Sequence, residues 1–230
     1  MTRLTPTLPL LLSLNAGYVD TAGFLALQGL FTAHVTGNFV TLGASLVLGL
    51  SGAVAKLLAL PVFCLVVIAT RLVSSALLRR SLPALRILLL VKAALLVLGA
   101  VLAIRFGPFA NGDAWQAVLT GMVLVAAMSI QNAVHRIHLG SAPPSTLMTG
   151  TTTQIMIDLA DMMQRPRAEG SEKPGSRLLR MSGNIAVFAF GCASAALLYA
   201  RFGVECFVVP PVLALIALVL RSGDGPTDRA

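Results

Sequence analysis

Six runs of mostly apolar residues, 8–30, 57–79, 86–106, 115–138, 178–202 and 204–221, divide the 230-residue chain. A helix that crosses the hydrocarbon core of a membrane needs about 20 such residues, so these runs constrain the fold more than any other feature. The composition agrees with them: 57% of the residues are hydrophobic and 11% charged, against roughly 45–50% apolar and ~25% charged in an ordinary soluble domain. Too little polar surface is available to cover a water-soluble core of this length, and lipid is the expected solvent for much of the chain. Disorder is excluded because it requires low hydrophobicity. The expected class is an all-α polytopic membrane protein.

The formal net charge is +8. In a soluble protein that excess would point to nucleic acid, but here the basic residues punctuate apolar runs instead of gathering on one face, as expected of cytoplasmic loops. The lipid bilayer is the expected partner, with no nucleic acid. Cys64, Cys192 and Cys206 sit in apolar segments without metal-ligand or disulfide spacing, and read as small hydrophobes. Arg3 precedes the first run, yet Asn15 and Asp20 lie inside it and no small-residue cleavage site follows, so it reads as a retained helix.

Two shorter segments, 36–50 and 148–163, begin with Thr-Gly and are too short or too polar for confident crossings. They belong to a repeat. Thr149-Gly150 follows Thr36-Gly37 by 113 residues, and Asn132 follows Asp20 by 112. Each half then reads as helix, short Thr-Gly helix, helix, helix. Three crossings per half give the halves opposite orientations, an inverted repeat. With a cytoplasmic N-terminus, Arg79, Arg80, Arg86, Arg136, Arg165, Arg167, Lys173, Arg177, Arg180 and Arg221 fall inside, while Lys56, Arg105 and Arg201 lie near the outer edges. Letting the short segments cross would move the Arg79–Arg86 cluster outside, against the positive-inside preference. The expected fold is therefore six transmembrane helices plus two re-entrant half-helices as a 3+3 inverted repeat. Residues 1–106 form the first half and 107–221 the second. Residues 222–230 form a disordered cytoplasmic tail, and both termini are cytoplasmic.

The Asn15-Ala-Gly-x-x-Asp20 start, the block Phe31-Thr-Ala-His-Val-Thr-Gly-Asn38, and Gln131-Asn132-Ala133 with Thr149-Gly150 resemble the YoaK family of bacterial integral membrane proteins over essentially the whole chain. The resemblance implies a bacterial inner-membrane address and supplies no chemistry. The second Thr-Gly block lacks the Asn that follows the first, a departure from strict symmetry.

Inversion would bring two helix N-termini toward mid-membrane. Each carries about half a positive charge and unpaired N–H groups, which suit an anion or a carboxylate-bearing solute. Thr36 and Thr149 are expected N-caps, and Gly37 and Gly150 allow close approach; tight helix packing is the competing reading. Asn38 and Thr151 complete the blocks, and Gln131 and Asn132 offer donors and acceptors either to a solute or to neighbouring helices. Asp20 lies near mid-bilayer, where an ionisable residue marks a functional site; it either binds or couples an ion, or pairs with Arg71. His34 is placed to titrate or gate. Lys92 is expected to snorkel, His135 and His138 to anchor at the interface, and Asp158 and Asp161 to be solvated.

Enzyme signatures such as HExxH, GxSxG, a P-loop or a dinucleotide fingerprint are absent from the sequence. No enzyme, metal or cofactor is expected. The leading expectation is a small-solute transporter or channel-like permease, with homo-oligomerisation open. A non-transporting scaffold or membrane-stress protein is the alternative, and an intramembrane enzyme using Asp20 and His34 comes third.

Overall fold

The computed structural model describes residues 7–140, 142–146, 148–164 and 174–222. The helices are α1 (Thr7–Ala26), α2 (Asn38–Leu48), α3 (Ala53–Arg79), α4 (Ala84–Phe106), α5 (Trp115–His138), α6 (Met148–Gln164), α7 (Pro174–Phe202) and α8 (Val209–Ser222), with 3₁₀ turns at Val35–Gly37 and Gly203–Val208. Among the described residues there is no strand. The expected loop and tail cations at 165–173 and the tail from 223 onward lie outside these residues, as does Arg3.

Helix boundaries follow local backbone chemistry. The first apolar run stops being helical at Ala26, short of residue 30, because Gln28 and Gly29 take positive φ (55° and 82°) and the Gly29 N–H returns to the Phe24 carbonyl. Gly49 ends α2 in the left-handed conformation. Gly52 at φ 93° opens α3, whose first N–H groups are capped from across the molecule: the Asp113 carboxylate accepts from Gly52 N at 2.9 Å and Val54 N at 2.8 Å. The Gln28 amide donates to the Phe109 carbonyl, and Gly112 N to Ser51 Oγ, so the 27–29, 49–52 and 107–114 loops are joined at one end of the bundle.

Four stretches of the described residues are long and apolar enough to cross a membrane: α3, α4, α5 and Gly175–Leu220. These make the chain a multi-pass membrane protein. The sequence reading expected six crossings; α1 is not among the four, its apolarity diluted by Ser13, Asn15 and Asp20, and α7 and α8 fall in one 46-residue run. That run would be about 69 Å long as a straight helix, more than twice the ~30 Å hydrocarbon core. It is broken at Gly203, where φ is 59°.

Contacts of α1 fix the directions around this break. Ser13 meets Asn184, and Gly17 lies against the Phe188 carbonyl, so α1 and α7 run parallel. Tyr18 Oη donates to the Cys206 carbonyl and Asn15 Nδ2 to that of Pro210, so the segment leading into α8 runs back against α1. The α1–α7 contact is backbone to backbone: a Cβ on Gly17 would sit 2.2 Å from the Phe188 carbonyl oxygen, and one on Gly191 would sit 2.3 Å from that of Leu14. Small residues permit this approach in a membrane, where dispersion packing replaces hydrophobic driving force.

The exterior is as apolar as the core. Leu65, Ile68 and Leu72 of α3, Val47 of α2 and Val219 of α8 are exposed, while Asp20, Lys92, Gln131 and Asn184 are buried. An apolar exterior, with the polar side chains enclosed inside a largely apolar core, is the arrangement that a lipid environment selects.

Candidate functional site

Two non-helical loops, one before each short helix, are held in the bundle by side chains from other helices. In the first, Asp20 of α1 accepts hydrogen bonds through Oδ1 from the backbone N–H groups of Thr32 at 2.8 Å and Ala33 at 2.7 Å, and its Oδ2 lies 2.7 Å from His34 Nδ1. A carboxylate satisfying consecutive N–H groups does the work of a helix cap, with charge assistance. Asn38 closes the same loop: its Nδ2 donates to the Phe31 carbonyl and its Oδ1 accepts from the Phe31 N–H, each at 2.8 Å. The His34 ring stands edge-on to Phe188 of α7, with centroids 5.4 Å apart.

The second loop is held by amides. Gln131 Nε2 donates to the Leu12 carbonyl at 2.8 Å and to Ser145 Oγ at 3.1 Å, while its Oε1 accepts from Lys92 Nζ. Asn132 Oδ1 accepts from the Thr146 hydroxyl, and its Nδ2 donates to the Met128 carbonyl of its own helix. Asn184 Nδ2 donates to the Pro144 carbonyl at 2.8 Å and its Oδ1 accepts from Ser13 Oγ at 2.6 Å. His135 Nε2 lies 3.2 Å from the Ala142 carbonyl, which assigns the proton to that nitrogen. The two loops approach each other closely enough for the Thr146 backbone to act electrostatically on the His34 imidazole.

Asp20, His34, Gln131 and Asn132 therefore gather at these loops. The Thr-Gly pairs do not cap their helices: Thr36 is exposed within the 3₁₀ turn, α2 starts at Asn38 without a side-chain cap, and Thr149 is the second residue of α6. Thr36 falls inside the 3₁₀ turn and Thr149 inside α6, so neither hydroxyl stands at the N-cap position; Asp20 instead satisfies the N–H groups of the loop residues Thr32 and Ala33. Gly37 packs on the Phe31 ring, Gly150 has open space around it, and Thr151 is buried. An open groove of about 660 Å³ runs along α6 beside Thr149, Thr152, Thr153 and Met156. Thr36, Gly37, Asn38, Gly150, Asp20 and Asn132 do not line it.

Four expected roles are corrected. Asp20 pairs with His34 and not with Arg71, which is exposed on α3; a loop residue 14 positions away supplies the nearer cation. Lys92 does not snorkel, because its side chain turns inward to Gln131 and is 1% exposed. His135 is buried on the 142–146 loop, and Asp158 forms a 3.2 Å ion pair with Arg177. Among the described residues no group of three His, Cys, Asp or Glu side chains could hold a metal.

Ser145, Thr146 and Asn184 were missed by sequence reasoning. A signal existed for the first two: the offset that aligns the Thr-Gly pairs also places Ser145 and Thr146 opposite Thr32 and Ala33. Asn184 was visible only as a polar residue in an apolar run.

No curated protein and no solved structure matches the chain. Residues 8–220 match the family described as "Protein of unknown function (DUF1275)", and the chain therefore belongs to that family, whose members are YoaK-like membrane proteins.

Proposed function

We propose that the protein is a small-solute permease of the bacterial inner membrane, a transporter and not an enzyme, built as a 3+3 inverted repeat with both termini cytoplasmic. The solute path passes the junction of the 31–34 and 144–146 loops. The observation that carries this reading is that junction: irregular backbone from both halves, buried among α1, α5 and α7 and approaching at His34 and Thr146. Lipid cannot satisfy such backbone, which at membrane depth is tolerated where it is enclosed by protein or borders a water-filled path.

Neighbour relations support the inversion. Helix α1 packs along α7 as α5 packs along α3; α8 lies beside α1 as α4 lies beside α5; α6 rests on α7 as α2 rests on α3. The equivalent helices α1 and α5 run in opposite directions, since Leu12 meets Gln131 while Leu27 and Leu30 meet Gly121. In this reading α1, α3, α4, α5, α7 and α8 are the six crossings, and α2 and α6 enter and leave on their own sides. The 14 residues of α8 span about 21 Å, and the preceding six-residue 3₁₀ segment adds about 12 Å, enough together for a ~30 Å core.

The test is uptake into proteoliposomes of labelled small anions and neutral solutes, with and without a pH gradient. Flux above protein-free vesicles is expected for at least one class; none for any class, with folded protein in the vesicles, contradicts the permease. A scaffold is the second reading, favoured by the outward placement of Thr149, Gly150, Thr152 and Thr153 along α6, a surface suited to helix packing between chains. It gains if uptake is absent and Gly150→Leu changes the oligomeric state.

A further inference from the structure

We propose that the outward face of α3 binds an anionic phospholipid, with Arg71 and Ser75 holding the headgroup phosphate and Arg79 adding a second positive charge. The inference rests on α3 crossing the membrane and not on the permease reading.

Arg71 places a charge on the lipid side of a membrane helix. Val66 is the midpoint of the 27-residue α3, and Arg71 stands five residues beyond it. With α3 centred in the membrane, Arg71 lies about 7.5 Å from the middle of a ~30 Å hydrocarbon core. Ionisable residues at such depth almost always face the bundle interior or a water-filled cavity and are paired there. Arg71 does neither: it is exposed beside Leu65, Ile68 and Leu72, and it makes no hydrogen bond, ion pair or ring contact with any described residue. Arg105 and Arg201, by contrast, lie over the rings of Phe106 and Phe202. Loss of a proton offers no relief, since a guanidinium keeps its charge in proteins. Snorkelling alone is a poor escape, because Cα–Cβ bonds in a helix tilt toward its N-terminus, which for Arg71 is toward the membrane centre. The charge is therefore met by an anion that comes to it from the headgroup layer, and phospholipid phosphate is the anion that layer holds.

The residues around Arg71 fit such a ligand from headgroup to chain. Successive helical residues turn by about 100°, which puts Arg71, Ser75, Ile68, Arg79 and Leu65 within one arc of about 120°. Ser75 follows Arg71 by one turn, a spacing that brings Cβ atoms to about 5–6 Å. It is half-buried, and its hydroxyl makes no hydrogen bond with any described residue. Arg79, two turns beyond Arg71, is exposed and equally without a partner among the described residues. A phosphate held here takes a bidentate pair from the planar guanidinium of Arg71 and a further bond from the Ser75 hydroxyl. Its acyl chains then run over Ile68 and Leu65 toward the membrane centre. Arg80 after α3 and Arg86 at the start of α4 are exposed at the same end, and their charge selects a lipid of net negative charge over a zwitterionic one.

The experiment titrates the full chain, purified in a neutral detergent, with phosphatidylglycerol, phosphatidylcholine and inorganic phosphate. Melting temperature reads binding, and native mass spectrometry reads retained lipid and oligomeric state. The wild type is expected to show a saturable rise with phosphatidylglycerol and to retain it, to respond more weakly to phosphatidylcholine, and not to respond to inorganic phosphate. Arg71→Gln is expected to melt like the wild type without lipid, because Arg71 has no protein partner, and to bind phosphatidylglycerol at least about tenfold more weakly, the loss of one charge-assisted contact. Arg79→Gln is a second arm, with a smaller loss expected. Arg105→Gln removes the same charge at the opposite end of the bundle and is expected to leave the affinity unchanged. No saturable response in the wild type, an undiminished one in Arg71→Gln or Arg79→Gln, or an equal loss in Arg105→Gln overturns the proposal. So does an equal response to phosphatidylcholine or to inorganic phosphate. A wild-type dimer that Arg71→Gln dissociates, with no lipid retained, gives this face to a second copy and overturns it as well.

Discussion

Replacement of Asp20 tests whether the first loop is held from α1 or by its own Thr-Gly pair. Its carboxylate accepts two short backbone N–H bonds and contacts His34, at 4% exposure. Charge-assisted hydrogen bonds are worth about 1.5–3 kcal/mol and neutral ones about 0.5–1.5 kcal/mol. Asp20→Asn keeps an acceptor but removes the charge, forfeiting about 1 kcal/mol per contact, or roughly 2–3 kcal/mol in all. Asp20→Ala also leaves two buried N–H groups without an acceptor, at about 1–3 kcal/mol each, for a total of roughly 3–6 kcal/mol. Thr36→Ala provides the contrast. A lost N-cap would cost about 1 kcal/mol, whereas an exposed side chain that caps nothing should stay within about 0.5 kcal/mol of wild type. Reversible unfolding of the micelle-bound protein in SDS, followed by circular dichroism, measures all three. If Thr36→Ala destabilised more than Asp20→Asn, or Asp20→Ala cost under ~1 kcal/mol, the assignment of the cap to Asp20 would be wrong.

Other contacts make equally definite demands. Gly17→Ala and Gly191→Ala each place a methyl group against a backbone carbonyl of the facing helix, and each should lower stability by about 1–3 kcal/mol, whereas Gly150→Ala, with open space around it, should be near neutral in the same melting assay. Asp113→Ala removes the acceptor of the Gly52 and Val54 N–H groups and should cost about 1–2 kcal/mol, with faster hydrogen exchange confined to the first turn of α3.

The parts of the fold that were legible in the sequence rest on patterns that survive without knowledge of neighbours. The fourth apolar run, 115–138, coincides with α5, and the short segments at 36–50 and 148–163 appear as α2 and α6, because apolarity over a helical length is itself the physical cause of these elements in lipid. The polar residues are recognisable in the sequence, but their partners are not. Arg71 and Asp20 look like a pair on charge alone, yet the rotation of α3 turns Arg71 outward, while the chain reversal at Gln28 and Gly29 returns His34 to α1. Lys92 is near enough to Arg86 in sequence to suggest a path to the interface; the side of α4 that faces α5 decides otherwise. Carboxylates that reach N–H groups far away in sequence, Asp20 to the 32–33 loop and Asp113 to the start of α3, leave no local signature at those N–H groups.

The inverted repeat is tested most directly by the sides on which the two short helices end. In a background with Cys64, Cys192 and Cys206 replaced by Ala, single cysteines at Gly49, after α2, and at Gln164, the end of α6, are labelled in sealed inside-out and right-side-out vesicles with a membrane-impermeant maleimide. Cysteines at Asn111 and Leu82 mark the expected outer and cytoplasmic faces. Position 49 should react from the outside together with 111, and position 164 from the cytoplasm together with 82. Reaction of positions 49 and 164 from the same side would contradict the inverted architecture and the meeting of the two loops that depends on it.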